Sequence, residues 1–116
     1  MADKQHNYTD KQLETGREKL AKFREWRRLN PRAYAFGESF AIGALDAGQH
    51  TSGRGIVEHI RRHDLTDEKG RPTRTSNDYA AIIARVFLRE HPQYAGRMEL
   101  RASVFDALMA GGGTNA

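Results

Sequence analysis

The feature that most constrains this chain is an apolar stripe between residues 76 and 90. Tyr79, Ile82, Ile83, Val86 and Phe87 recur at i, i+3, i+4, i+7 and i+8, which places all five on one face of an α-helix. Ser76 or Asn77 supplies an N-cap before it, and His91-Pro92 ends it, because the residue before a proline is pushed out of helical geometry. A helix this apolar on one side must be buried against others, so the fold is built around it.

The remaining chain supplies partners of the same kind. Thr9 and Gln12 have capping-box spacing, and the apolar residues that follow, Leu13, Leu20, Phe23, Trp26 and Leu29, form one narrow stripe on a basic amphipathic helix over 9–29. Lys19, Lys22, Arg24, Arg27 and Arg28 surround that stripe. It either docks on its own domain or forms a dimer interface. A membrane-surface role is diluted by Glu14, Glu18 and Glu25. Asn30-Pro31 marks a boundary, with Asn30 as a cap and Pro31 at the first helical position. A second helix then runs to about Ala47, with Ala33, Phe36, Phe40, Ala44 and Leu45 on one face. Gly37, Ala41 and Gly43 allow a neighbour to approach, and Gly48 stops the helix. A third runs from Arg54 to His63 with Ile56, Val57 and Ile60 inward, capped by Thr51 or Ser52 and weakened at its start by Gly53 and Gly55. Residues 64–75 read as a polar loop or short β-hairpin around Lys69-Gly70. Met98 to Arg101 alternates like a short strand, and Ala102 to Ala110 like a last helix.

The expected fold is therefore mainly α. It is a compact bundle of four to five helices with a short β-hairpin and a helix-turn-helix or winged-helix-like core. One domain spans 9–110, with its core at 31–101. Residues 1–8 are expected to be disordered and residues 111–116 to form a flexible tail. A chain of 116 residues is long enough for one real core, since domains of this size bury roughly two thirds of their unfolded surface.

Composition narrows the chemistry. There are no cysteines, which excludes disulfides, thiolate metal sites and cysteine nucleophiles. No apolar run approaches the roughly 18 residues of a membrane span, and the polar start lacks the apolar segment of a signal peptide. No membrane partner and a cytoplasmic location are expected. The net charge is +4, and residues 51–101 hold 10 Lys/Arg, nine of them Arg, against 7 Asp/Glu. Arginine suits planar, two-pronged contacts to phosphate and guanine.

These charges nominate a nucleic-acid surface: Arg71 and Arg74 on the loop, then Asn77, Arg85 and Arg89 on the following helix, with Met98–Arg101 as half of a wing. Two features oppose it. The loop of about a dozen residues exceeds the usual three-to-four-residue turn, and Arg85 has an alternative role as a structural partner of Glu58 or Glu99. His59 and His63 have an i, i+4 spacing that can hold a metal, but no further ligand is indicated, so no metal or cofactor is expected. Glu58-His59-Ile60 with Asn77 lacks the other residues of a ββα-metal nuclease. No catalytic residues stand out, and an enzyme is not the expected reading.

Four fragments carry a resemblance. They are Asn30-Pro31-Arg32-Ala33-Tyr34, Glu58-His59-Ile60-Arg61, Asn77-Asp78-Tyr79 with Ala84-Arg85, and His91-Pro92-Gln93-Tyr94 followed by Glu99-Leu100-Arg101. In this order, over about residues 24–101, the chain resembles a family of small phage and prophage proteins. Arg62 stands where that pattern has Trp, and Asp78 where it has a second Asn. The resemblance implies a mobile-element origin and a compact helical fold, and assigns no catalytic residue. The expected function is DNA binding by a small phage-type protein. The alternative is a protein-binding inhibitor of a host defence complex or enzyme, for which Tyr8, Tyr34 and Tyr94 are the free surface aromatics. A homodimer is compatible with either.

Overall fold

The computed structural model describes residues 8–110. The polar start expected over 1–8 lies outside them except for Tyr8, and the tail at 111–116 lies outside them entirely. The chain is mainly α, with five helices in the order α1 (Asp10–Leu29), α2 (Pro31–Asp46), α3 (Gly53–Arg61), α4 (Ala80–Glu90) and α5 (Val104–Leu108). Single 3-10 turns at Asn77–Tyr79 and Pro92–Tyr94 flank α4.

Local chemistry sets these boundaries. The Thr9 hydroxyl accepts from the Gln12 amide and the Gln12 side chain accepts from the Thr9 amide, closing the expected capping box. Ser52 caps α3 by accepting from the Gly55 amide, and Gly48 ends α2 in the left-handed region at φ +77°. Ser103 and Asp106 close a second capping box at α5. This short helix begins two residues later than the sequence pattern suggests.

The core is the meeting of apolar faces. Ile56, Val57 and Ile60 of α3, which packs on both α2 and α4, are buried in one core with Leu45 of α2 and with Ile82, Ile83 and Phe87 of α4. Leu20, Phe23 and Trp26 bury the α1 stripe on the same core, so α1 is docked on its own domain. Two glycines set helix separations. A Cβ on Gly37 would meet Ile60 Cδ1 at 2.7 Å, and one on Gly53 would meet the Ala80 carbonyl oxygen at 1.9 Å. Gly53 is thus a requirement of the α3–α4 crossing rather than a mere weakness of the first turn. Gly43, expected to admit a neighbour, has nothing within 4 Å of where its Cβ would lie.

Four further expectations are corrected. Met98 to Arg101 is irregular, not a strand, because Met98 turns inward to the core and no neighbouring strand is present among the described residues to pair with it. The hairpin shrinks to a single antiparallel bridge, Thr66 to Pro72, closed around Asp67. The carboxylate of Asp67 accepts from the Lys69 and Arg71 amides at 2.8 and 2.9 Å. Asn30 does not cap α2 with its side chain. It is buried, its Nδ2 donates to the Trp26 carbonyl at 2.9 Å, and its Oδ1 accepts from the Thr73 hydroxyl at 2.7 Å. Together with the Glu68 amide, which donates to the Leu29 carbonyl, this pins the long loop to the α1–α2 corner. Finally, Tyr34 and Tyr94 are buried, not free surface aromatics. The Tyr94 hydroxyl donates to Asp46 at 2.6 Å, and the Arg27 guanidinium lies 3.8 Å above the Tyr34 ring.

Candidate nucleic-acid interface

The five residues nominated from sequence do not form one surface. Arg85 points inward, its side chain only 9% exposed. Its Nε donates to Asp106 Oδ1 at 2.7 Å, and its two Nη atoms donate to the carbonyls of Ala81 and Arg101 at 2.9 and 2.7 Å. The structural partner is therefore Asp106, not Glu58 or Glu99. Arg89 donates to the Met109 carbonyl at 2.6 Å, so both arginines hold the α5 segment against α4. Arg71 is tied to Asp67 at 3.0 Å and shares a shallow cleft with Arg74 beside Asn30, at the pinned loop. Arg74 is exposed and makes no ion pair among the described residues.

Asn77 belongs to a different grouping. Its Oδ1 accepts from Arg61 Nη1 at 2.7 Å, which joins the start of the fourth helical segment to α3. One turn of helix separates Arg54, Glu58 and Arg62, so they form a row along the outer face of α3. Arg54 is 81% and Arg62 71% exposed, and both reach the same carboxylate of Glu58, at 3.1 and 4.0 Å. Arg61 lies on the flank toward Asn77. These four α3 side chains and Asn77 line one open cleft of about 320 Å³. Three guanidiniums thus face one acid, and exposed pairs of this kind are weak enough for a phosphate to displace. The ridge lies outside the five residues nominated from the sequence, apart from Asn77. The signal was present as Arg54, Arg61 and Arg62 at helical spacing.

On the opposite flank of α3, toward α2, His59 lies parallel to Phe36 and Phe40, with ring centroids 4.9 and 4.1 Å away. His63 stands 4.6 Å from Phe36 and 4.9 Å from His59. The histidine pair is therefore part of an aromatic seam with Phe36 and Phe40. Burial, then the neighbouring His63 and Arg62, hold His59 below the ordinary histidine value.

Comparison with protein-family models, curated proteins and solved structures finds no match.

Among the described residues, one group has the makings of a metal site: Glu38, Glu90 and His91, whose ligand atoms lie within 4.8 Å of one another. Its chemistry is already satisfied. Both oxygens of Glu90 accept from Arg27, at 2.7 and 3.0 Å, and His91 Nε2 meets Glu38 at 2.6 Å. Burial works against the charge on Arg27, yet its hydrogen bonds to Glu90 together with the charges of Tyr34, Glu90 and Glu38 outweigh it and raise its pKa. Arg27 and His91 already engage the two carboxylates, so the group forms a polar network joining α1, α2 and the end of α4. No helix among the described residues is long and apolar enough to cross a membrane.

Proposed function

We propose that this chain binds nucleic acid through the outer face of α3, as a small phage-type protein acting by binding rather than catalysis. One observation carries the reading: Arg54, Arg61 and Arg62 stand together against a single acid, with Asn77 fixed beside them. Guanidiniums in such a row suit the charge and two-pronged geometry of phosphate groups, and the amide of Asn77 adds a polar contact. Arg74, three residues before Asn77, extends the positive charge along the chain. The connection from Arg62 to Ser76 is too long for a helix-turn-helix turn, so the proposed mode is backbone binding to the α3 face rather than insertion of α4 into a groove. Net charge +4 supports the reading, and the motifs shared with small phage and prophage proteins favour a mobile-element setting in a cytoplasm.

The test is fluorescence anisotropy with mixed-sequence oligonucleotides at low salt. Affinity is expected to fall with salt along a logarithmic slope of about −2 to −3, as three phosphate contacts require. No binding at tens of micromolar, about the range of weak non-specific complexes, rejects the proposal.

A second reading, an inhibitor of a host defence complex or enzyme, draws on a different feature. Between α1 and the α4–α5 side lies a groove of about 360 Å³ floored by Leu20, Phe23, Val86 and Met109 and edged by Arg24 and Arg28. That combination suits an apolar anchor on an acidic partner segment. A stoichiometric partner that survives nuclease treatment, and is lost on Arg24→Glu, would favour this reading over the first.

A further inference from the structure

The aromatic seam beside the arginine ridge has features that core packing alone does not require. Phe36, Phe40 and His59 are half-buried and His63 is exposed, so the ring stack continues out to solvent. Its order is fixed. His63 Nδ1 lies 2.9 Å from the His59 carbonyl, and a carbonyl only accepts, so Nδ1 carries the proton. In the neutral ring Nε2 is left as an outward acceptor. His59 of the seam shares α3 with Arg54 and Arg61, and Arg62 and His63 follow one another at the end of that helix, while Phe36 and Phe40 come from α2. A row of flat rings flanked by guanidiniums is the arrangement on which unpaired bases stack while their phosphates are neutralised. Paired bases in a duplex keep their faces inside the stack and cannot use it.

We infer that the α3 face takes single-stranded nucleic acid, with phosphates on Arg54, Arg61 and Arg62 and bases stacked on His63 and the outer rings of the seam, Phe36 and Phe40, which hold His59 between them. The inference rests on the proposed nucleic-acid binding by α3. The exposed ring of His63 is the leading contact, and its Nε2 can accept from a base amino group.

Anisotropy with a labelled mixed-sequence strand and with the same sequence as a duplex decides it. The strand is expected to bind about tenfold more tightly than the duplex, the scale of one stacked base. His63→Ala, and separately Phe40→Leu to keep the apolar packing, should each weaken strand binding about fivefold. Duplex binding and the salt slope should stay unchanged, and circular dichroism should confirm the fold. If Phe40→Leu fails to fold, His63→Ala decides. Equal or tighter duplex binding, or strand affinity unmoved by His63→Ala, overturns the inference while leaving α3 binding intact. If neither strand nor duplex binds, the α3 reading itself fails and takes the inference with it.

Discussion

Arg85 and Asp106 form a clamp that closes the C-terminal part of the fold. Asp106 accepts from Arg85 Nε at 2.7 Å with one oxygen and from the Ser103 amide at 3.0 Å with the other. The same carboxylate therefore caps α5 and ties it to α4. Because the guanidinium also satisfies two carbonyls, Arg85→Ala leaves several polar groups without a partner. The expected loss is about 2 kcal/mol, read as a lower midpoint in urea unfolding. Asp106→Asn keeps the cap and should cost less.

Gly53 is the tightest point of the bundle. A methyl group there meets a backbone oxygen, which cannot move aside as a side chain can, so Gly53→Ala must separate α3 from α4. The expected destabilisation is about 3 kcal/mol, after allowing for the better helix propensity of alanine. Gly43→Ala is the control. Its Cβ enters open space on α2, and a gain of about 1 kcal/mol is expected. Thermal unfolding of the two variants should move in opposite directions.

Stability should also depend on pH through His59. Its folded pKa is lowered, mainly by burial, then by His63 and Arg62, whereas unfolded it titrates near about 6.5. Below that value the unfolded chain binds more protons than the folded one, so stability falls as pH falls and is recovered as pH rises. His59→Phe keeps a ring between Phe36 and Phe40 and removes the proton site. The variant's melting temperature should change less than that of the unmodified chain between about pH 7.5 and about pH 5.5. An unchanged pH dependence would assign the effect to other groups.

The helices were legible because their signals are local. The Ile82–Phe87 stripe, the Thr9–Gln12 box and the Gly48 stop depend on residues within a few positions of one another and stand in the structure as read, while Tyr79, read as the first residue of the stripe, falls in the 3-10 turn before α4. The misreadings are relations between elements. Nothing near Arg85 in sequence points to Asp106, twenty-one residues away, and nothing near Asn30 points to Thr73. Met98 to Arg101 alternates like a strand, yet alternation specifies a strand only where a neighbour exists to pair with it. Gly53 looked like a weak first turn because the Ala80 carbonyl it makes room for lies on another helix. Of the arginines nominated from the sequence, Arg85 and Arg89 are structural, and a more exposed arginine ridge sits one helix earlier, on α3. The Phe36–His59–Phe40 stack arises only where α2 meets α3, so the i, i+4 spacing of His59 and His63 gave no sign of the rings that pack on them.

The most direct measurement compares two triple variants by anisotropy at low salt, each first shown to be folded by circular dichroism. One is Arg54→Ala, Arg61→Ala and Arg62→Ala on the ridge, and the other is Arg17→Ala, Arg24→Ala and Arg32→Ala elsewhere, with the same change in net charge. The ridge variant should lose at least about tenfold in affinity and flatten the salt slope by about two units, while the other stays within about twofold to threefold. Equal losses in both variants would show that net charge alone attracts the nucleic acid, and would contradict a binding face on α3.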